Sequence, residues 1–134
     1  MNKQNTSMMI LIAGPYRSGT NDDPVKITAN VKAMEKLALP IFRAGHVPML
    51  GEWLALPLAD LAGTKHIGDE AFNEVFHPSA VRLLIHCDAV LRMGGPSAGA
   101  DEMVNTAKKL GLKVYYRLED IPGVSIKSPQ DRGS

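Results

Sequence analysis

The sequence predicts a single α/β domain, with a parallel sheet of about four to five strands and helices on both faces. Three observations predict this fold class. Short apolar runs that end in glycine-rich turns alternate with segments of helical periodicity, as in strand–helix–strand units. The length of 134 residues suits one domain. The composition, 45% hydrophobic and 22% charged, is typical of a globular protein with a packed core.

The first strand–helix–strand unit lies at the start of the chain. Residues Met8–Ala13 (MMILIA) are too few for a helix and predict a strand buried on both faces. A helix is expected to begin at Pro24, and Pro40 should kink it or end it early. Gly45 is expected to cap this helix, and His46–Leu50 to form the second strand. Such units are right-handed in nearly all proteins.

The middle of the chain has a weaker pattern. Gly51–Leu61 contains several leucines but no clean period, and Trp53 within it is interpreted as a core residue. Asp69–Phe76 predicts a short helix that Pro78 breaks. Ala80–His86 is interpreted as a helical turn that leads into the next strand.

The second half of the chain returns to clear alternation. Ala89–Met93 predicts the third strand, and a glycine-rich loop then enters a helix over Ala100–Leu110. Leu112–Tyr116 predicts the last strand. The domain is therefore expected over residues 1–120, with a flexible C-terminal tail over 121–134, where Pro, Ser and Gly are frequent.

Charge and cysteine content exclude several classes of partner. There are 15 Lys and Arg against 14 Asp and Glu, a net charge of +1, which gives no basis for a nucleic-acid polymer or a membrane surface as partner. The single cysteine, Cys87, cannot form an internal disulfide and suits a reducing compartment. No signal-peptide pattern precedes the first apolar run, and no run approaches the roughly 20 apolar residues of a membrane span. A cytoplasmic location is expected.

Two glycine-rich loops follow predicted strands and are the candidate ligand-binding segments. They read GPYRSGTNDD and GGPSAGADEM, and match neither the phosphate-binding pattern GxxxxGK[ST] nor GxGxxG. Ligands of open parallel sheets bind where such loops leave the carboxyl ends of the strands, beside helix N-termini that attract phosphate. The candidate binding residues are Gly14, Tyr16, Arg17, Ser18 and Gly19 in the first loop, and Ser97 and Gly99 in the second.

Each of these features also has a purely structural interpretation. A glycine-rich turn after a strand is often only a turn, and two of them at one sheet edge favour a site. The adjacent acids Asp101 and Glu102 are candidate catalytic groups, but acids in a first helical turn also complement the helix dipole. Arg17 can equally be a solvated surface cation.

The histidines and the cysteine do not indicate a metal site. His46 and His77 stand alone in the sequence and are interpreted as structural. His66, His86 and Cys87 lack the spacing of metal ligands, so no metal is predicted. Cys87 is interpreted as a buried thiol.

Four segments together resemble the nucleoside 2-deoxyribosyltransferase-like family. They are AGPYRSG, RAGH, CDAVLRM and GGPSAGADEM with the following A..LGLKVYY, and they span Met8–Tyr116. The family includes N-glycosidases that act on nucleotide 5′-monophosphates. The resemblance implies a flavodoxin-like (Rossmann-like) sheet, cleavage or transfer at an N-glycosidic bond, and no cofactor. It also implies a homo-oligomer, a dimer or larger, for which the segment around Trp53 is a candidate interface if it is exposed in the monomer.

The resemblance also implies roles for the two loops. The first loop would lie near the sugar, base or 5′-phosphate, and Ser97 to Gly99 would contact phosphate. The family nucleophile is a glutamate four residues after the loop glycine and eight before the glycine that ends the helix. Counting from Gly99 and from Gly111 reaches Met103, and Glu102 comes one residue early. One helical position is a rotation of about 100°.

Two hypotheses therefore stay open at this point. In the first, the helix start is shifted or the loop is remodelled, so that Glu102 reaches the sugar as the nucleophile and the protein is an enzyme. In the second, the nucleophile is absent, and the domain binds a nucleotide without cleaving it or cleaves it slowly with Asp101 or Glu102 as a base. The helical spacing of Met103, Ala107 and Leu110 favours an inward Met103 and hence the second hypothesis. A third, a domain used only for assembly, gives the loops no chemical role. Arg17, Ser18 and Ser97 favour a 5′-monophosphate over an unphosphorylated nucleoside.

Overall fold

The computed structural model of the chain describes residues 7–124. It contains one sheet of four parallel strands, which confirms the predicted fold class. The strand order is β2-β1-β3-β4. The strands are β1 (Met9–Ala13), β2 (Val47–Leu50), β3 (Ala89–Arg92) and β4 (Lys113–Tyr115).

Four α-helices connect or flank these strands in the described part of the chain. The first joins β1 to β2, the next two form a hairpin between β2 and β3, and the last joins β3 to β4. They are α1 (Pro24–Arg43), α2 (Gly51–Leu61), α3 (Glu70–Ile85) and α4 (Ala98–Lys109), followed by a 3-10 turn at Leu118–Asp120.

The sheet is buried on both faces, as the apolar strands predict. Alternate residues of β1 serve the two faces. Leu11 packs in a cluster with residues of α3 and α4, whereas Ile10 and Ile12 pack with Met34 and Ile41 of α1. The domain therefore has three layers, with helices on each side of the sheet.

Strand order places the ligand-binding edge. Because β1 lies between β2 and β3, the chain leaves the sheet in opposite directions after β1 and β3, which is the switch point where open α/β sheets bind ligands. Ala13 pairs with Arg92, so the loops that follow these residues start side by side. Ile12 pairs with Leu50, which brings the start of α2 to the same edge.

Neither proline ends its helix. The expectation that Pro78 breaks a short helix was wrong, and of the two outcomes expected at Pro40 the early end does not occur. Pro40 lies inside α1, and Pro78 lies inside α3, which continues to Ile85. An internal proline costs a helix about 3 kcal/mol. In α3, burial of Phe72 before the proline and of Leu84 after it offsets that cost, because each fully buried large apolar side chain contributes roughly 1.5–3 kcal/mol.

The segment without a clean period is the helix α2, and its tryptophan is not in the core. Small residues, Ala55 and Ala59, make the buried face of α2. Trp53 is 40% exposed, and its Nε1–H donates a hydrogen bond of 2.8 Å to Glu35 Oε2. The interpretation of Trp53 as a core residue was wrong, because the close packing of α2 uses alanines rather than the aromatic ring.

The chain stays packed beyond residue 120. Ile121 is 1% exposed and belongs to the cluster on the α1 face of the sheet. His46 holds the next residue, because its Nε2 lies 2.8 Å from the carbonyl oxygen of Pro122 while its Nδ1 accepts a hydrogen bond from the Met8 N–H. The rest of the expected tail, residues 125–134, lies outside the described residues. Within residues 7–124, no helix is long and apolar enough to cross a membrane.

Candidate functional site

A cavity of about 210 Å³ opens at the sheet edge that strand order identifies. Its walls come from the end of β1, the loop after it, the first turn of α2, the middle of α3 and the first turns of α4. The polar or aromatic side chains that line it are those of Tyr16, Arg17, Ser18, Glu52, Phe76, His77 and Ser97, and the lining also includes Gly14, Gly99 and Met103.

An open groove of about 470 Å³ adjoins this cavity. Ser18 and Ser97 line both, so the two spaces are neighbours along one crevice between the glycine-rich loops. Gly19 and Asn30 form one side of the groove, and residues 95–98 form the other. The predicted binding residues of both loops therefore meet at one place, although they are far apart in the sequence.

Gly14 allows the first loop to leave the sheet close to the second. A Cβ atom at this position would collide with Met93 Sδ and would lie 3.0 Å from the Met93 carbonyl oxygen. The loop is then fixed by Asn30, whose Nδ2 donates a hydrogen bond of 2.9 Å to the Tyr16 carbonyl. Glycine suits position 14 because the Met93 side chain and, less closely, its carbonyl oxygen occupy the space that a Cβ atom would need.

Tyr16 forms part of an aromatic wall. Its ring centroid lies 4.7 Å from that of Phe76, and Phe76 is stacked on Phe72 at 4.6 Å. Burial raises the pKa of the Tyr16 phenol, the Glu52 carboxylate raises it further, and Arg17 opposes both. The phenol is therefore a hydrogen-bond donor at neutral pH, at the side of the cavity where Glu52 lies.

Arg17 lines the cavity but is already paired. Its Nε and Nη2 donate hydrogen bonds of 2.8 and 2.9 Å to the two carboxylate oxygens of Asp22. The guanidinium also lies 6.0 Å from the centre of the Phe72 ring, within the range of a cation–π contact. A phosphate that binds Arg17 would have to share the cation with Asp22 or displace this carboxylate.

Ser97 caps α4 at the crevice. Its Oγ accepts a hydrogen bond of 3.1 Å from the Ala100 N–H, as an N-cap serine does. Gly99 follows in the first turn, and a Cβ atom there would meet nothing within 4 Å. The first turn of α4 therefore presents its backbone to open space in the cavity, where an anion would approach the positive end of the helix.

Asp101 supports the second loop and does not line the cavity. Arg92, at the end of β3, donates hydrogen bonds from Nε to Asp101 Oδ1 at 3.0 Å and from Nη2 to the Gly95 carbonyl at 2.9 Å. Its Nη1 donates to the Met93 carbonyl. We call this set of contacts the Arg92 brace. In this position, Asp101 has a structural explanation.

Glu102 also lies outside the cavity lining. Its Oε2 is 3.5 Å from His77 Nε2, and it is His77 that lines the cavity. The next residue, Met103, is 5% exposed and does line the cavity, as the helical spacing favoured. The assignment of Glu102 as a nucleophile stays a prediction. In this arrangement its carboxylate contacts His77, and it is the His77 side chain that borders the cavity.

Glu52 is a candidate functional residue that the sequence patterns did not indicate. It lies in the first turn of α2, and among the described residues it is the one carboxylate that lines the cavity. Burial raises its pKa to about 7, and a hydrogen bond from its own backbone N–H opposes this shift only in part. A carboxyl group with this pKa exchanges a proton near neutral pH, as acid–base catalysts do. The one signal in the sequence is an acid placed directly after a buried strand, in MLGEWLAL.

Other candidate residues have structural positions. Cys87 is buried and donates a hydrogen bond to the Leu83 carbonyl, and burial raises the pKa of its thiol to about 11. Within residues 7–124, no three His, Cys, Asp or Glu side chains are grouped so as to hold a metal ion. An exposed apolar stripe lies on α2 and consists of Trp53, Leu54, Leu58 and Leu61. The expected homo-oligomer stays a prediction.

Searches with models of known protein families, and against curated proteins, find no match to this chain. The resemblance to the nucleoside 2-deoxyribosyltransferase-like family therefore rests on the short motifs of the sequence.

Proposed function

We propose that the crevice binds a nucleoside or nucleoside 5′-monophosphate, and that the protein breaks its N-glycosidic bond with Glu52 as the proton donor to the departing base. The observation that carries the proposal is the position of Glu52, a carboxyl group with a pKa near 7 in a cavity at the switch point of the sheet. The resemblance to the nucleoside 2-deoxyribosyltransferase-like family implies that the bond cleaved is N-glycosidic.

The shape of the crevice suggests how such a ligand would lie. The cavity offers a planar base the aromatic wall of Tyr16 and Phe76 and apolar contacts such as Met103. The adjoining groove offers a phosphate the Ser18 hydroxyl, the backbone of Gly19 and the N-terminus of α4. The sugar would then lie between them, near Ser97, which lines both spaces.

The chemistry needs a proton on the base side of the bond. When the bond between C1′ and the base nitrogen breaks, its electron pair goes to the base, which is a poor leaving group unless it is protonated. Protonated Glu52 donates that proton as positive charge develops on the sugar. Water then adds to C1′ and returns a proton to the Glu52 carboxylate, or a second base takes the place of water in a transfer reaction. Each cycle thus restores the starting protonation state.

The assignment of Glu102 as a nucleophile is the competing account of the same reaction. It needs the carboxylate to move from its contact with His77 into the cavity, past or around Met103. Glu52 needs no such movement, and we therefore assign it the proton transfer.

A nucleobase-release assay tests the proposal. Nucleosides and 5′-monophosphates of the common bases are incubated with the wild type, Glu52→Gln and Glu74→Gln, an exposed acid of α3 outside the cavity lining. We expect release by the wild type and by Glu74→Gln, and a loss of about 10²–10⁴-fold in Glu52→Gln, the usual contribution of a general acid. Unchanged release by Glu52→Gln would overturn the assignment.

A binding module without catalysis is the second candidate. Two observations favour it: Met103 occupies the lining position of the family nucleophile, and Asp22 already pairs the Arg17 cation. Here a nucleotide would raise the melting temperature without base release. A ligand at 100 times its Kd adds about 2.7 kcal/mol to the free energy of unfolding. Base release by the wild type would exclude this candidate.

A further inference from the structure

We propose that Glu52 also selects the nucleobase, and that its protonation state determines which base edge the cavity accepts. This inference rests on the proposed nucleotide site, but it does not require that the bound nucleotide be cleaved.

The Glu52 carboxyl group lies in the same cavity as the aromatic wall. Tyr16, Phe76 and Glu52 line the same cavity, and the Glu52 carboxylate is close enough to Tyr16 to raise the pKa of its phenol. A base that stacks on the aromatic wall shares the cavity with this carboxyl group, and we infer that one of its edges meets it. Apolar surroundings make such a contact selective, because an unpaired polar group is costly there.

The Glu52 carboxyl group keeps free hydrogen-bonding capacity. Its own backbone N–H occupies part of one oxygen, and burial rather than a charged partner dominates its pKa. A carboxyl group has about four lone-pair sites when ionised, and one donor plus the remaining acceptors when protonated. Most of that capacity is left for a ligand.

The hydrogen-bonding groups of the Glu52 carboxyl can be matched to the edges of the purine bases. An ionised carboxylate offers two acceptors side by side, which match the adjacent N1–H and N2–H donors of guanine. A protonated carboxyl offers a donor beside an acceptor, which matches the N1 acceptor and N6–H donor of adenine and also the O6 acceptor and N1–H donor of guanine. The ionised state thus fits guanine, the protonated state fits both bases, and the pKa near 7 makes both states available close to neutral pH.

Other titratable groups around Glu52 do not supply the same switch. From the first loop, Arg17 stays charged, and the phenol of Tyr16 stays protonated because burial raises its pKa. From α1, Glu35 meets α2 through Trp53 and does not line the cavity. From α3, the imidazole of His77 also lines the cavity, and a variant without it therefore serves as the control.

Substitution of Glu52 by glutamine gives a matched probe. The amide has the shape of the carboxyl group and offers a donor beside an acceptor at every pH, as the protonated acid does. Glu52→Gln should therefore bind both bases with a ratio of affinities that does not change with pH. His77→Gln removes the imidazole from the cavity lining and should keep the pH dependence of the wild type.

The experiment measures binding of carbocyclic analogues of GMP and AMP, whose bond to the base cannot be hydrolysed, by calorimetry at about pH 6 and about pH 8. Both carry the same phosphate, so its titration cancels from the ratio of affinities. For the wild type and His77→Gln we expect the preference for guanine over adenine to rise at least about tenfold with pH, because the ionised fraction of Glu52 rises about tenfold. For Glu52→Gln we expect a change below about twofold.

The outcomes separate this inference from the proposed function. Binding of both analogues with a constant ratio in the wild type would overturn base selection by Glu52 and leave the nucleotide site in place. A ratio that stops changing in His77→Gln would also overturn it. Binding of neither analogue would overturn the nucleotide site itself. A rising ratio without base release from natural nucleotides would uphold the inference and reject catalysis.

Discussion

Arg92 Nε donates a hydrogen bond of 3.0 Å to Asp101 Oδ1, and this contact joins the end of β3 to the first turn of α4. The Arg92 side chain is only 11% exposed, whereas that of Asp101 is 65% exposed. The buried partner also holds two carbonyl groups of the intervening loop. The shape of the second glycine-rich loop therefore depends more on the arginine than on the aspartate.

Substitutions at the two ends of the Arg92 brace should have unequal effects. Arg92→Ala should lower the free energy of unfolding by about 1–2 kcal/mol, because it removes a largely buried side chain together with its hydrogen bonds to Asp101 and to two loop carbonyls. Asp101→Asn should cost under about 1 kcal/mol, since exposed ion pairs contribute little. Urea unfolding of both variants measures this. If Asp101→Asn instead kept its stability but lost base release, Asp101 would be a catalytic group, as the sequence hypothesis had it.

Stability should depend on pH through Glu52. Its pKa is about 7 in the folded state and near 4.5 in the unfolded chain, so the folded state binds more protons between these values. The free energy of unfolding should therefore fall as pH rises from about 4.5 to about 7, by about 2–3 kcal/mol from this residue. Urea unfolding at several pH values, compared with Glu52→Gln, isolates this contribution. A pH dependence identical in the two proteins would show that Glu52 titrates normally.

Substitution of Gly14 and of Gly99 should affect different properties, stability at Gly14 and nucleotide binding at Gly99. Gly14→Ala should destabilise the protein by about 1–3 kcal/mol, because its Cβ collides with Met93 and the Met93 carbonyl cannot move away freely. Gly99→Ala should change stability by less than about 0.5 kcal/mol but weaken nucleotide binding, since its Cβ enters open space beside the cavity. Melting temperatures and calorimetry distinguish the two. Tight nucleotide binding by Gly99→Ala would place the ligand elsewhere.

The pairing of Arg17 with Asp22 predicts opposite effects on phosphate binding. Arg17→Ala should weaken binding of a 5′-monophosphate by about 10–100-fold and of the matching nucleoside far less, because it removes a cation that lines the cavity next to Ser18, at the border with the groove that is proposed to hold the phosphate. Asp22→Asn should strengthen monophosphate binding, because it frees the guanidinium from its carboxylate. Asparagine also tolerates the positive φ of 58° at this position. Equal losses for nucleoside and monophosphate in Arg17→Ala would remove Arg17 from the phosphate site.

Much of the fold was predictable because its signals are local. The apolar runs before Gly14 and Gly94 form β1 and β3, and helical spacing placed Met103 inward. The α2–α3 hairpin was not predictable in this way. Ala55 and Ala59 make the buried face of α2 while leucines are exposed, so apolar character does not mark the buried side.

The candidate site was predictable in part for a similar reason. The two loops can be recognised in the sequence by their glycines and hydroxyl residues, and both line one crevice in the structure. Glu52 has no such local mark. Its importance depends on β2 lying beside β1, which aligns Leu50 with Ile12 and carries the first turn of α2 to the cavity. A single acid in an apolar stretch can be placed at the cavity only when the order of the strands is known.

The central claim is that Glu52, and not Glu102, transfers the proton that breaks the N-glycosidic bond. The most direct test compares initial rates of base release for Glu52→Gln and Glu102→Gln on the substrate that the wild type cleaves fastest. We predict that Glu52→Gln loses at least about 100-fold, whereas Glu102→Gln stays within a few fold of the wild type. The opposite result, a near-normal Glu52→Gln beside an inactive Glu102→Gln with a glycosyl ester on Glu102 of the wild type, would contradict the account.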